Sequence, residues 1–253
     1  MVNVERVPVA AETLAEHETT NAYLVGDLLV DPAAPTDALA AAVERHDPDH
    51  VLATHAHHDH VGGVEAFAAG RTVWALAGRE ARFERATGVA PDRTFRDGDP
   101  VPGVADGAVL ATPGHAPDHV ALALDGVVLS GDLVVAAGSV VVGAEEGDMR
   151  AYLTSLRRLH ARDPRRLYPG HGPVVEDPRA DIARLLARRL DRERRVLAAV
   201  RDGAGTPDEV VDAAYDRDLG GVRKYARSTV VAHLRKLDVE GTVVWDGERA
   251  RPA

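Results

Sequence analysis

The sequence predicts an α+β fold, and three observations indicate it. Apolar runs flank tight turns at residues 21–30 and 120–129, which is typical of β-hairpins. Residues 36–46 and 148–162 instead carry apolar side chains at helical spacing. The 253 residues are 45% hydrophobic, enough to bury a sizeable core. We expect one large domain with a small C-terminal domain.

The first half of the chain alternates strand-like and helix-like segments. The 21–30 hairpin should form the first edge of a sheet, and the helix at 36–46 follows it. Val51–Ala53 reads as a buried strand, and a helix should start near Asp59 and run to Ala68. Proline and glycine recur through residues 88–106, which predicts a turn-rich connection after a strand at 71–77.

The second half continues this pattern. Asp125-Gly126 suits a type I′ turn in the 120–129 hairpin. Residues 133–147 form an apolar, glycine-rich loop that reads as a substrate lid or as a plain loop. A helix at 148–162 and a strand at 166–168 complete this part.

The stretch Thr54-His55-Ala56-His57-His58-Asp59-His60 follows the 51–53 strand and contains four imidazoles and a carboxylate. Alternate side chains of an extended segment share a face, so His55 and His57 can converge on one ion. Asp59 and His60 then point elsewhere as the chain turns into a helix. One short segment can therefore serve two neighbouring metals.

Three later residues, His115, Asp132 and His171, also follow apolar runs and have glycine directly before them. Glycine permits the close backbone approach that a crowded metal loop requires. We assign His55, His57 and His115 to one ion, and Asp59, His60 and His171 to the other. Asp132 bridges them, because a carboxylate has two acceptor oxygens. Two such ions suit hydrolysis, and we expect Asp59 also to orient the attacking water.

These residues resemble the metallo-β-lactamase-fold hydrolases. The segment from His55 to His60 matches the HxHxDH signature of that family, and the segments ending at His115, Asp132 and His171 match its later ligand blocks in the same order. The resemblance implies a four-layered αββα sandwich over about residues 1–175, with the metals at one edge. It implies two Zn²⁺ ions, with Mn²⁺ or iron as alternatives.

The other histidines have weaker patterns. His17, His46, His50, His160 and His233 read as exposed or structurally satisfied side chains. His58 points away from both ions and is expected to pack or support a ligand. His119 reads as solvent-facing, supporting or substrate-contacting. Asp31 ends a strand and either orients a ligand histidine or faces solvent.

Composition limits the other possibilities. The absence of cysteine excludes disulfides and thiolate ligands, leaving histidine and carboxylate to bind a metal. No apolar run is long enough to span a membrane, and the first residues do not resemble a signal peptide, so we expect a cytoplasmic protein without membrane contact. The net charge is −10. The sequence does not indicate an oligomeric state.

Two segments are basic within this acidic chain. Residues 179–195 carry seven arginines against three carboxylates, which predicts a solvated helix or a track for phosphates. Thr206-Pro207-Asp208-Glu209 predicts a capped helix start, and a second helix at 222–237 and a short β element follow it. This order is typical of a winged helix. The second helix contributes five candidate nucleic-acid-binding residues: Arg223, Lys224, Arg227, Arg235 and Lys236.

We therefore expect a catalytic domain at 1–178, a connecting Arg-rich helix at 179–202 and a winged-helix-like domain at 203–253. This organisation resembles the lactamase-β-like protein 2 subgroup, which includes single-strand-specific endoribonucleases, and implies cleavage of single-stranded RNA. Aromatic residues are only 4% of the chain, so base-stacking platforms are scarce. The alternatives are a small-molecule ester or thioester hydrolase of the hydroxyacylglutathione-hydrolase type, and a nucleic-acid-binding regulator with a structural metal. A β-lactamase is disfavoured because the cytoplasm holds no obvious target.

Overall fold

The structure is a computed structural model that describes residues 2–11, 19–216 and 218–253. His17, for which the sequence predicts no ligand role, lies outside the described residues. None of the helices in the described ranges combines the length and apolar character that a membrane span needs.

The first sheet has six strands in sequence order. They are β1 (Glu5–Ala10), β2 (Thr19–Val25), β3 (Leu28–Val30), β4 (His50–Leu52), β5 (Thr72–Leu76) and β6 (Arg93–Phe95). β1 to β3 pair antiparallel, whereas β3 to β6 run parallel. The hairpin of β2 and β3 is confirmed, but its expected place at the sheet edge is wrong, because β1 pairs with β2 and forms that edge.

Four helices accompany this sheet. They are α1 (Asp37–His46), α2 (His58–Val61), α3 (Val64–Ala68) and α4 (Glu80–Thr87). The single helix expected from Asp59 to Ala68 is wrong, because Gly62 and Gly63 interrupt it. A Cβ atom on either glycine would lie 2.5–2.6 Å from a carbonyl oxygen of the segment after β3. The connection expected at 88–106 contains β6, which the sequence did not indicate.

The second sheet has four strands in the order β10-β9-β8-β7. They are β7 (Gly107–Ala111), β8 (Val120–Leu124), β9 (Val127–Gly131) and β10 (Arg166–Pro169). β7 to β9 pair antiparallel, and β10 runs parallel to β9. The expected hairpin of β8 and β9 is confirmed. Helices α5 (Met149–Arg162) and α6 (Pro178–Arg201) follow β9 and β10.

Three apolar cores define four layers. Side chains of both sheets, such as Leu28, Leu52 and Leu122, pack together in one core. The other face of the first sheet packs on α1, α3 and α4, through residues such as Leu39, Phe67 and Phe83. The other face of the second sheet packs on α5 and α6. The predicted αββα sandwich is confirmed, and burial of both faces of each sheet stabilises it.

The C-terminal part forms a fourth core with the end of α6. It contains α7 (Pro207–Ala214), a 3₁₀ turn at 220–222, α8 (Arg223–Val239), and a hairpin of β11 (Val243–Trp245) and β12 (Ala250–Pro252). Thr206 caps α7 through the predicted capping box with Glu209. The expected order of two helices and a β element is present. The winged-helix classification and the three domain limits stay predictions.

Candidate metal centre

The ends of strands bring the candidate ligands to one edge of the sandwich. β8 runs opposite to β7 and β9, so β7, β9 and β10 all end at the same edge, and His115, Asp132 and His171 follow them. Hydrogen bonds join the two sheets there. Val120 N donates to Thr54 O (2.8 Å), and Asn21 N donates to Gly170 O (2.7 Å). The edge therefore unites loops from both sheets.

His55, His57 and His115 form the first group of ligand atoms. His57 Nδ1 lies 3.0 Å from His55 Nε2 and 2.9 Å from His115 Nε2. Three nitrogens at these distances form one face that a single cation can occupy.

Asp59, His60 and His171 form the second group. His60 Nε2 lies 3.3 Å from His171 Nε2, and Asp59 Oδ2 lies 3.5 Å from the same His171 atom. Asp59 lies in the first turn of α2, whose N-cap position is occupied by His57 without a side-chain cap.

Asp132 lies between the two groups. Its Oδ2 is 3.5 Å from His115 Nε2, and its Oδ1 is 3.4 Å from His171 Nε2 and 3.5 Å from His60 Nε2. Oδ1 is buried and accepts no hydrogen bond from the described residues. A buried carboxylate oxygen without a donor is costly, so this position calls for a positive charge.

The far nitrogens of all five imidazoles point to acceptors. His60 Nδ1 donates to Asp31 Oδ2 (2.9 Å), His115 Nδ1 to Val141 O (2.7 Å) and His171 Nδ1 to Thr19 O (3.0 Å). His57 Nε2 donates to Glu146 Oε2 (3.0 Å), and His55 Nδ1 to Thr54 Oγ1 (3.1 Å). A neutral imidazole has one N–H, so the five inward nitrogens present lone pairs to one another. These lone pairs repel unless metal ions lie between them or some of the rings are protonated, which the raised pKa values of His60 and His171 favour in the metal-free fold.

Asp31 and His119 support the candidate ligands through hydrogen bonds to His60 and Asp132. Asp31 is buried and also accepts from Thr54 N (2.6 Å) and Thr54 Oγ1 (2.9 Å), so it orients His60 and does not face solvent. His119 is fully buried, and its Nε2 accepts from Asp132 N (3.0 Å). Its expected alternatives of solvent exposure or substrate contact are wrong. Burial and the nearby His115 lower the pKa of His119 to about 3, so its ring is neutral.

Burial and the neighbouring imidazoles hold the pKa of His55 well below its usual value. Burial opposes protonation of His60 too, but Asp31 and Asp132 outweigh it and raise the pKa of His60 well above the usual value. Asp132 likewise outweighs burial and raises the pKa of His171. Nitrogen and carboxylate donors in two adjoining groups fit a pair of divalent ions such as zinc.

Glu146, in the 133–147 loop, orients His57 and is itself held by Arg82. Arg82 donates to Glu146 Oε1 (3.0 Å) and Oε2 (2.7 Å), and its Nε donates to Asp118 Oδ1 (2.9 Å). Asp118 Oδ2 accepts a hydrogen bond from Ala56 N (2.9 Å), and Ala56 lies in the chain between the candidate ligands His55 and His57. The Arg82 hydrogen bonds lower the pKa of Glu146 to about 2, so it stays ionised. The sequence predicted a substrate lid or a plain loop here, but it did not indicate that Glu146 supports a candidate ligand.

Replacing Glu146 with Gln should weaken binding of the ion held by His55, His57 and His115. The amide leaves the His57 N–H a weaker acceptor and loses the Arg82 ion pair. We expect metal binding to be about tenfold weaker. Loss of a residue that supports a metal ligand weakens binding by about 10- to 100-fold, and the smaller effect is expected because Glu146 is half-exposed. Metal titration by calorimetry measures it. The neighbouring Glu145→Gln is the control, and equal metal affinity in both variants would contradict the role of Glu146.

Gly170 allows the two groups to approach. A Cβ atom there would lie 2.6 Å from both Asp132 Oδ1 and His60 Cε1. We expect Gly170→Ala to reduce the free energy of unfolding by about 1–3 kcal/mol, as overpacking does, and to weaken metal binding. Gly221→Ala is the control, since no atom lies within 4 Å of its added Cβ. Denaturant unfolding measures the difference, and similar values for both variants would count against this steric role.

The remaining histidines lie outside both groups. His58 is exposed and lines the cavity described below, so its expected packing role is wrong. His46 Nε2 lies 3.1 Å from Glu5 Oε2, and His50 Nδ1 accepts from Trp74 Nε1 (3.3 Å). His233 is fully buried and contacts Glu193. None of these belongs to a group of metal-binding geometry among the described residues.

A cavity of about 850 Å³ opens onto the metal centre. The candidate ligands His57, Asp59, His115, Asp132 and His171 line it. Opposite wall segments come from residues 135–147 and from Lys224, Tyr225 and Ser228 of α8. Ser228 holds the loop by accepting from Ala144 N (2.9 Å) and donating to Glu145. The C-terminal part thus contributes directly to the cavity.

The five basic residues of α8 do not form one exposed row. Lys236 is buried and pairs with Glu193 and Glu240, and Arg223 and Arg227 pair with carboxylates of α7. The arginines of α6 also have partners: Arg184 pairs with Asp181, Arg195 pairs with Asp191 and Asp216, and Arg189 donates to Val140 O. The pairing favours the solvated-helix interpretation of residues 179–195 over a phosphate track.

Comparison with known proteins supports the assignment of the fold. The family model described as "Metallo-beta-lactamase superfamily" matches residues 16–171. A "Beta-lactamase-like protein 2 homolog" of Caenorhabditis elegans is 30% identical, over 88% of this chain and 80% of that protein. An "Atrochrysone carboxyl ACP thioesterase" of Aspergillus fumigatus is 31% identical, over 78% of this chain and 69% of that protein.

Two solved structures extend the comparison. A metallo-beta-lactamase family protein of Thermus thermophilus superposes with a TM-score of 0.78 and 27% identity, covering 99% of this chain and 98% of the other. The protein TTHA1623, crystallised in a di-iron-bound form, superposes with a TM-score of 0.53 and 32% identity, covering 68% of this chain and 96% of that one.

Proposed function

Because the chain belongs to the metallo-beta-lactamase superfamily, we propose that this metal-dependent hydrolase uses two ions to cleave small thioesters or esters. The observation that carries the two-ion site is the set of five imidazoles with bonded far nitrogens, whose inward lone pairs flank Asp132. Zinc is the proposed metal, with manganese and iron as alternatives. A cytoplasmic location stays a proposal, consistent with the absence of cysteine.

In this proposal each side chain has a defined task. His55, His57 and His115 would hold one ion, Asp59, His60 and His171 would hold the other, and Asp132 would contribute a carboxylate oxygen to each. When bound, such a pair of ions lowers the pKa of an attacking water and polarises the substrate oxygen. Asp59 is part exposed to the cavity, so its carboxylate can accept a hydrogen bond from that water and orient it.

The cavity supports a compact acyl substrate. Its size falls within the range of small-molecule sites, about 300–1,000 Å³. Val135, Ala136, Val140 and Val141 form an apolar wall beside the ligands, which suits an acyl chain. A protein named as an ACP thioesterase among the relatives agrees with this substrate class.

Single-stranded RNA is the second candidate substrate. The overall similarity to proteins named "Beta-lactamase-like protein 2 homolog" and the five basic residues of α8 favour it. Against it, most of those basic residues pair with carboxylates. Tyr225 is also the one Phe, Tyr or Trp side chain among the described residues lining the cavity, and single-strand binders use several for stacking.

A substrate panel tests the proposal. We expect purified, metal-loaded protein to hydrolyse butyryl thioesters and to lose that activity with Asp132→Asn, which excludes a contaminating enzyme. Cleavage of unstructured RNA without thioester hydrolysis would overturn the substrate class. RNA binding that survives chelation, with no hydrolysis of any probe, would instead favour a nucleic-acid-binding regulator.

A further inference from the structure

The basic residues of α8 differ in whether their charge is already neutralised. Arg223 Nη1 lies 2.6 Å from Asp212 Oδ1, and Arg227 Nε lies 3.2 Å from Asp208 Oδ2. Both carboxylates come from α7, the preceding helix. These two cations therefore serve mainly to join α7 to α8.

Arg235 and Lys236 are also engaged. Arg235 donates to the backbone oxygen of Ala144, which fixes the loop beside the cavity. Lys236 Nζ lies 2.8 Å from Glu193 Oε1 and 2.7 Å from Glu240 Oε2, and its side chain is 8% exposed. The charge of Lys236 is therefore neutralised, and Arg235 keeps its charge but does not line the cavity.

Lys224 is different, because in the described part of the chain no carboxylate pairs with it. Its side chain is exposed and lines the cavity, with Nζ 4.8 Å from the ring centroid of Tyr225. No other lysine or arginine lines this cavity among the described residues. The nearby wall carboxylates already have donors, since Ser228 bonds to Glu145 and Arg82 bonds to Glu146.

A single unpaired ammonium beside an apolar wall favours a ligand that has both an anionic group and an apolar segment. The apolar residues 135–141 accept a hydrocarbon segment, and Lys224 supplies an attraction that a neutral ligand cannot use. The ligand atoms of the metal centre come from strand-end loops, whereas Lys224 comes from α8. The side of the cavity that carries the positive charge is therefore separate from the side that carries the candidate metal ligands.

We propose that Lys224 binds an anionic group of the substrate, a carboxylate or a phosphate, at a position other than the bond that is cleaved. This inference rests on the proposed thioester hydrolase function and specifies its substrate class. The anion belongs either to the acyl group or to the thiol leaving group, and the chemistry of recognition is the same for both.

Four probes separate these sources. They combine a neutral butyryl or an anionic succinyl acyl group with pantetheine or 4′-phosphopantetheine as the thiol. We expect Lys224→Gln to raise KM about tenfold for probes that carry the recognised anion, a loss of about 1.4 kcal/mol, and to change kcat less than about twofold. Butyryl-pantetheine should be unaffected. Lys224→Arg should retain wild-type values.

The matched control is Arg157→Gln on α5, which removes one exposed positive charge outside the cavity. It should leave KM unchanged for all four probes. Equal changes in KM for neutral and anionic probes with Lys224→Gln, or no change for any probe, would overturn the proposal. Loss of single-stranded oligonucleotide binding without any effect on these probes would also overturn it and favour RNA.

A binding measurement keeps this inference separate from the proposed function. If the wild-type protein cleaves none of the probes, the thioesterase proposal fails. Succinate and 4′-phosphopantetheine binding to the metal-loaded protein, measured by calorimetry, then tests the anion site alone. Weaker binding by Lys224→Gln than by Arg157→Gln supports the site, and equal binding contradicts it.

Discussion

Replacing Asp132 with Asn should reduce kcat/KM about a thousandfold, a loss of about 4 kcal/mol of transition-state stabilisation. Asn has one oxygen and a neutral amide, so it cannot place a negatively charged oxygen toward both ligand groups. In the structure one carboxylate oxygen faces His115 and the other faces His60 and His171. Steady-state hydrolysis of butyryl-pantetheine, or of whichever probe the wild type cleaves, measures the effect.

The control for this substitution is Asp106→Asn. Asp106 lies in an exposed turn with a left-handed backbone (φ 54°), a conformation that asparagine also adopts readily. It should keep wild-type activity and metal content. An Asp132→Asn protein that retained two ions and the wild-type rate would contradict the bridging role.

Metal removal should destabilise the protein increasingly as the pH rises above about 7.5. The pKa values of His60 and His171 are raised in the metal-free fold. Protonation of these rings stabilises that fold fully below their unfolded pKa of about 6.5. This contribution is lost as the pH rises through the folded pKa values. Histidines whose pKa is lowered are already neutral in both states there, so they add no slope.

Bound metal removes this dependence because it replaces those protons beside Asp132. We expect the free energy of unfolding of the chelated protein to fall as the pH rises above about 7.5 and through the raised pKa values of His60 and His171. The increase in melting temperature on adding metal should grow over the same range. At a metal concentration 1,000 times Kd, bound metal increases the free energy of unfolding by about 4 kcal/mol. Thermal unfolding with and without chelator measures it, and a metal effect that shrank with rising pH would contradict the account.

The candidate ligands could be predicted because their chemistry is local. His55, His57 and His60 lie in one short segment, and His115, Asp132 and His171 each follow a strand and a glycine. The hairpins could be predicted equally well, because the turn at Asp125-Gly126 is determined by neighbouring residues. Gly170 was indicated by its position before a ligand, and the structure gives the steric reason.

Contacts between distant segments could not be predicted in this way. Glu146 lies 89 residues from His57 and 64 from Arg82, and nothing in its local sequence distinguishes it from Glu145. The sequence did not indicate strand β1, because its own hydrophobic pattern is weak. Its register in the sheet is determined by pairing with β2. Such partners emerge only when the fold brings the segments together.

The basic helices illustrate the limit of counting charge along the chain. The stretch around α8 has no carboxylate of its own up to Leu237, yet Asp208, Asp212 and Glu193 reach it from α7 and α6. The spacing of Asp208 and Asp212 on one face of α7 was an available signal. Pairing across helices leaves Lys224 distinct, which sequence composition does not reveal.

Elemental analysis of the purified wild-type chain tests the central claim most directly, when combined with protein concentration to give the number of ions per chain. Two ions per chain are expected, falling to one or none in Asp132→Asn. A metal-replete preparation that bound no ion, or one that bound a single ion unaffected by Asp132→Asn, would contradict a paired metal centre.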